Sequence, residues 1–192
     1  MQEAPGPFTI EDFDQLSRLV IDAWESALDR DWSVPAGTLE WSCFTTADHT
    51  VDCVFSYAMF LASRLQDAYP NFTELHALPG ASPADLVPGL RAVCEMLKAV
   101  VMIAEPDARA VIWIRNGGHA APAADFAARG GHELILHAHD VCTGLGVPFD
   151  PPRDLCQRLW NHTREWPMGP SVDSTNDPWS DLLERSGRAR LP

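Results

Sequence analysis

The chain is short of positive charge. Its 192 residues include 14 Lys and Arg against 27 Asp and Glu, which gives a formal net charge of −13 and a pI near 4.7. A surface of that sign repels phosphate backbones, and no Lys/Arg cluster offsets it. We therefore expect no nucleic-acid partner.

Long apolar runs and paired cysteines are also missing. No run is long enough to cross a bilayer, and residues 1–12 are polar and acidic rather than basic and then apolar, so we expect neither a membrane partner nor a signal peptide. The five cysteines are scattered and form no C-x-x-C pair, which argues against a disulfide framework. These features predict a cytoplasmic protein whose cysteines are small core residues.

What the sequence does contain is helical periodicity on a composition that is 46% hydrophobic, enough for a core. Apolar residues recur at helical spacing in four long segments. The segment boundaries are about 9–29, 45–69 ended by Pro70, 82–104, and 122–145, the last with an alternative break at Gly130 and Gly131. Two shorter helices are predicted after Pro151–Pro152 and in WSDLLERSGR. The run RAVIWIR, 109–115, could be extended, but no second strand is evident to pair with it.

This pattern predicts an all-α fold, an antiparallel four-helix bundle with additional short C-terminal helices. We expect one domain over residues 1–192, with a core at about 9–166 and a C-terminal extension at about 167–192. A homodimer formed through an exposed helix face would suit an acidic bundle of this size.

The stretch GHELILHAHD, 131–140, concentrates ionisable groups within an apolar segment. Because a helix turns by about 100° per residue, Glu133 and His137 share one face, and Asp140 continues that stripe. His132 and His139 lie on another face, two turns apart and about 10 Å from each other along the axis. An i,i+4 Glu–His pair can supply two ligands to a divalent metal, but a solvated surface pair has the same spacing.

A third ligand from another helix would favour a metal site over a solvated surface pair. His76 lies in a linker, His119 in a Gly-Gly turn and His162 on a late helix. His49 is the best candidate because it opens the second long helix. Asp52, three residues later, could orient its imidazole.

Two segments resemble a known family. HELILHAHDVCTGLGVPF is similar to the E-L-x-x-H-x-x-D-x-x-x-G-L-G signature of the mycothiol-dependent maleylpyruvate isomerase metal-binding domains, which belong to the DinB/YfiT-like helical bundles. LEWSCFTTADHTVDC resembles the same family's W-[ST]-x(6)-H segment, and DPWSDLLERSGRARLP resembles its terminus. One departure is His139, where family members often carry tryptophan.

The resemblance implies a bundle that holds one divalent ion, usually zinc, through His49, Glu133 and His137. Ni²⁺ and Fe²⁺ suit the same donors. Two imidazoles and one carboxylate leave a coordination position open, as in catalytic zinc sites. The predicted function is a thiol transferase or thiol-dependent isomerase, in which mycothiol or another small thiol binds the metal as thiolate and attacks a small electrophile.

The alternatives are a hydrolase that uses metal-bound water and a metal-binding or sensor protein without turnover. Asp52 and Asp140 are predicted to orient the imidazoles. His139 and His132 are candidate proton carriers, with a core or surface position as the alternative. Arg115 and Arg129 are candidates for holding an anionic substrate, with solvated surface arginines as the alternative.

Overall fold

Six helices and one two-stranded sheet make up the described part of the chain. The computed structural model of the chain describes residues 6–72, 74–113, 119–167 and 170–188. In chain order the elements are α1 (Ile10–Glu25), α2 (Cys43–Ser63), α3 (Pro83–Ile103), β1 (Arg109–Trp113), β2 (His119–Pro122), α4 (Ala123–Leu145), α5 (Arg153–Thr163) and α6 (Pro178–Arg185). The fold is mostly helical, as the periodicity predicts.

The four long helices pack against one another around an apolar core. α1 and α2 each contact both α3 and α4, and α3 also contacts α4. α5 packs on α4 and on α6, which follows it in the chain. Fully buried side chains from most of these elements, including Phe13, Leu97, Leu134 and Leu159, belong to one cluster. α2 and α4 are thus neighbours, and they carry the two halves of the predicted site.

Local capping signals locate the helix starts. Thr9 and Asp12 form the predicted capping box of α1: the Thr9 amide donates to Asp12 Oδ2 at 3.0 Å, and the Asp12 amide donates to Thr9 Oγ1 at 3.3 Å. α3 begins with Ser82 and Pro83 as expected, and the Ser82 amide donates to Asp85 Oδ2 at 2.8 Å.

The predicted end of α2 is wrong. The helix ends at Ser63 rather than near Tyr69, because Arg64 adopts a left-handed conformation with φ 56°. The carbonyl of Leu65 then accepts a hydrogen bond from the amide of Val111 in β1 at 2.7 Å. A tertiary contact therefore takes the chain out of the helix well before Pro70.

The predicted lack of a second strand is also wrong. β2 pairs antiparallel with β1, with Ala110 opposite Ala121 and Trp113 opposite His119. The sequence of β2, HAAP, has no β-branched residue and so carries little strand propensity. Its pairing with β1 determines its conformation.

α4 is continuous through Gly130 and Gly131, so these glycines cause no break. A Cβ atom at Gly130 would lie 2.6 Å from Leu97 Cδ2, and one at Gly131 would lie 2.7 Å from Phe8 Cζ. The two glycines therefore mark a close approach to α3 and to the segment before α1. Within the described ranges, each helix is too short or too polar to cross a membrane.

Candidate metal centre

α2 and α4 bring His49 and His137 together. Their ring centroids are 5.3 Å apart with an interplanar angle of 78°. On its other side, His49 contacts Trp41, whose ring centroid is 5.1 Å away and whose side chain is half exposed. The histidine predicted on the second helix therefore does face the predicted pair on the fourth, with an aromatic side chain at the rim.

Glu133 and His137 form a close pair one turn apart on α4. His137 Nε2 lies 3.2 Å from Glu133 Oε2, and their side chains are only 14% and 12% exposed. Such burial does not fit a solvated surface pair. His137 Nε2 and Glu133 Oε2 both lie in the interface with α2, as their binding to one shared metal ion would require.

The other oxygen of Glu133 is held by two further side chains. Arg129 Nη2 lies 2.7 Å from Glu133 Oε1, and the Tyr57 hydroxyl donates to the same oxygen at 3.2 Å. Burial alone would raise the pKa of Glu133, but the Arg129 charge and His137 outweigh it and keep the pKa well below its usual range. Glu133 is therefore a carboxylate with Oε1 occupied and Oε2 directed at His137.

His137 is held at its second nitrogen by Asp140. Nδ1 lies 3.3 Å from Asp140 Oδ2, and Arg188, just beyond α6, pairs with both oxygens of that carboxylate, its Nε donating to Oδ1 at 2.8 Å. Burial opposes charging of His137, yet the contacts with Asp140 and Glu133 raise its pKa. The placement of Asp140 agrees with its predicted orienting role.

Asp52 does not take the corresponding position beside His49. Its Oδ1 accepts a hydrogen bond from the amide of Leu75 at 2.8 Å. Burial and the neighbouring His137 lower the pKa of His49. The orienting role predicted for Asp52 is thus replaced by a contact with the linker after α2.

The structure describes three of the remaining predicted residues, His132, His139 and Arg129, and of these Arg129 contacts the proposed donor Glu133. His132 is buried with Nδ1 3.3 Å from Arg129 Nη1, and burial together with that charge lowers its pKa to about 3. His139 faces α6, with its ring 5.5 Å from that of Trp179. Arg129 makes internal contacts with Glu133, His132 and the Tyr57 ring, and Arg115 lies outside the described residues.

The other candidate histidines are also elsewhere. His76 contacts Asp48 and Glu74 in the linker. His119 stacks on Trp113 within the sheet, with centroids 4.9 Å apart. His162 Nε2 lies 3.2 Å from Asp125 Oδ1. Of the four histidines outside α4, His49 is the one that contacts the Glu133–His137 pair.

Cys53 is a site residue that the sequence argument missed. Its Sγ lies 3.3 Å from His49 Nε2, one turn further along α2. The same i,i+4 spacing that singled out Glu133 and His137 relates His49 to Cys53. That spacing is the signal that could have identified it.

The donor set suits a divalent cation, although the observed side-chain positions stop short of a closed site. Among the described residues, no three His, Cys, Asp or Glu side chains are arranged to hold a metal ion. Donors about 2.0–2.2 Å from one zinc ion are about 3–3.5 Å apart, a spacing that His137 Nε2 and Glu133 Oε2 have at 3.2 Å. A third donor from His49 requires adjustment of its ring.

Comparison with known proteins gives a distant structural likeness. No protein-family model and no curated protein matches the chain. Two solved structures do, that of the mycothiol-dependent maleylpyruvate isomerase and that of a histidine-to-alanine mutant of it. Each is 16% identical, with a TM-score of 0.51, over 79% of this chain and 68% of the other. At this identity the likeness shows a distant relationship of fold.

Proposed function

We propose that the protein is a metal-dependent thiol transferase or thiol-dependent isomerase that acts on a small electrophile. The observation that carries the proposal is the contact of His49 on α2 with the buried Glu133–His137 pair on α4. The fold likeness to a mycothiol-dependent isomerase supports a small thiol as cosubstrate. The antiparallel four-helix-bundle arrangement and a cytoplasmic location, where such thiols stay reduced, are part of the same proposal.

In this proposal His49, Glu133 and His137 hold one divalent ion. Zinc is the leading candidate, and nickel and iron accept the same nitrogen and oxygen donors. When bound, a zinc ion with an open position lowers the pKa of a thiol or water that joins it. The ion supplies that activation, and the side chains of the protein orient the donors.

The contacts of the donors explain how they would be oriented. Arg129 and Tyr57 occupy Oε1 of Glu133 and so leave Oε2 for the ion. Asp140 occupies Nδ1 of His137 and so leaves Nε2 for the ion. Hydrogen bonds to the outer atoms of ligands are the usual means of setting their direction and basicity. His137 lies between two carboxylates that raise its pKa, and a cation bound at Nε2 would replace the proton there.

Elemental analysis and a thiol-transfer assay test the proposal together. We expect the purified protein to carry close to one equivalent of metal, His137→Ala to lose most of it, and the control His119→Ala to keep it. Transfer of mycothiol or another small thiol to a chromogenic electrophile should stop with chelator and return with zinc.

Four results would contradict the proposal. Full metal retention by His137→Ala would remove the site. Chelator-insensitive transfer by the loaded protein would remove the role of the metal. Turnover in thiol-free buffer would indicate a hydrolase instead, and a metal that raises only the melting temperature would indicate a binding protein.

A further inference from the structure

Three side chains share one face of α2, and two of them contact the Glu133–His137 pair. His49, Cys53 and Tyr57 are spaced i, i+4 and i+8, so they lie one above another. At one end, the His49 ring contacts the His137 ring at 5.3 Å between centroids. At the other, the Tyr57 hydroxyl donates to Glu133 Oε1 at 3.2 Å. Cys53 lies between these two residues along the helix, on the face of α2 that carries both contacts.

The immediate surroundings of Cys53 agree with that position. Its Sγ lies 3.3 Å from His49 Nε2. The Cys53 side chain is half-buried and contacts a residue that the proposed function assigns to the ion. Its position makes it a candidate ligand rather than an independent reactive cysteine.

We propose that Cys53 supplies a fourth donor to the ion that His49, Glu133 and His137 hold, an inference that rests on the proposed function. Two i,i+4 pairs on facing helices, His49–Cys53 and Glu133–His137, would then enclose the cation. A sulfur and a nitrogen bound to one zinc ion at about 2.3 and 2.0 Å lie about 3.5 Å apart, close to the observed 3.3 Å.

The proposal has chemical consequences. Binding forms a sulfur–metal bond and releases the thiol proton to solvent. A thiolate among the donors selects softer ions such as zinc and cobalt over magnesium and manganese. It also occupies the position that a cosubstrate thiol needs, so that thiol must displace Cys53 before it can react.

Cobalt substitution gives a readout that does not depend on activity. Cobalt(II) bound by a thiolate shows a sulfur-to-metal charge-transfer band in the near ultraviolet, whereas nitrogen and oxygen donors alone do not produce it. We expect the band when cobalt is titrated into the full chain. Cys53→Ser and Cys53→Ala should lose the band, and their zinc affinity should fall by about tenfold or more, at least the loss that an outer partner of a ligand causes.

Cys94→Ser is the matched control, because Cys94 is buried on α3; it should keep the band. Circular dichroism checks that each variant folds. Cobalt binding that requires His137 but gives no sulfur band would overturn the role of Cys53 while leaving the proposed function standing, and so would a band that persists in Cys53→Ser. Absence of cobalt binding, or binding unchanged in His137→Ala, would overturn both.

Discussion

A methyl group added at Gly144 should disturb the contact between α4 and the loop that leads into α2. A Cβ atom at this position would lie 2.4 Å from the carbonyl oxygen of Pro35 and 2.6 Å from Cys43 Sγ, where real Cβ contacts essentially never fall below 3.0 Å. The nearer atom belongs to the backbone, so no side-chain rotation relieves the clash. Helix and loop would have to move apart by roughly half an ångström.

The expected magnitude follows from two opposing effects. Overpacking of a well-packed interface costs about 1–3 kcal/mol, whereas Gly→Ala within a helix gains about 0.5–1 kcal/mol. That gain is reduced here because Gly144 is one residue from the end of α4. Gly144→Ala should therefore lower the free energy of unfolding by about 1–2 kcal/mol.

Urea unfolding followed by circular dichroism measures the effect, provided that the slope of the transition is unchanged. Gly89→Ala is the matched control. Gly89 lies within α3, and a Cβ atom there would meet only Val51 Cγ1 of α2, at 4.0 Å. The control should match the wild type or gain up to about 1 kcal/mol. If Gly144→Ala unfolds at the wild-type urea concentration or above it, the packing argument fails.

Two further predictions concern the frame around the site. Arg158→Met should lower the free energy of unfolding by about 1–3 kcal/mol, because it leaves the buried Asp12 carboxylate without the guanidinium that contacts both its oxygens at 2.7–3.0 Å. The control Arg91→Met breaks an exposed pair with Glu25 and should change the free energy of unfolding by less than about 1 kcal/mol. Equal effects of the two substitutions in a urea titration would contradict this prediction. Alkylation of the native metal-free protein at neutral pH should label Cys53 first, as mass spectrometry can verify, because it alone of the five is half-buried. Burial raises the pKa of all five thiols, so access to the sulfur decides the order, and the other four cysteines, Cys43, Cys94, Cys142 and Cys156, are fully buried.

Helix starts could be predicted from the sequence because capping is local. The capping box at Thr9 and Asp12 and the Ser82–Pro83 start each involve residues within one turn. The end of α2 could not, because its cause lies far along the chain: the Leu65 carbonyl bonds to the amide of Val111. β1 is also the partner of HAAP, a pairing that the composition of HAAP does not predict.

The candidate site was predictable to the extent that it follows helical angles. The face shared by Glu133, His137 and Asp140 is a property of one helix, and the structure places His137 in contact with both carboxylates. Cys53 was missed because cysteine is commonly a small core residue. Its significance depends on where α2 faces α4, and the sequence alone does not give that orientation.

Asp52 and Asp140 show why equal spacing led to unequal results. Each lies three residues after a site histidine, so both were predicted to orient an imidazole. Next to α2, however, the linker presents the amides of Leu75 and Ala77, which Asp52 and Asp48 accept at 2.8 and 2.7 Å. The Asp52 carboxylate is therefore bonded to the backbone of the linker rather than to the imidazole of His49.

Asp140 has a different set of neighbours. The amides around it are already bonded within α4, and its carboxylate is almost fully buried, with Arg188 and His137 as its partners. Since a buried carboxylate needs compensating charge, the Arg188 guanidinium holds it in place, and it in turn holds Nδ1 of His137. The competing donors, rather than the i,i+3 spacing, therefore decide which aspartate can orient a histidine, and those donors come from the linker after α2 and from the turn after α6.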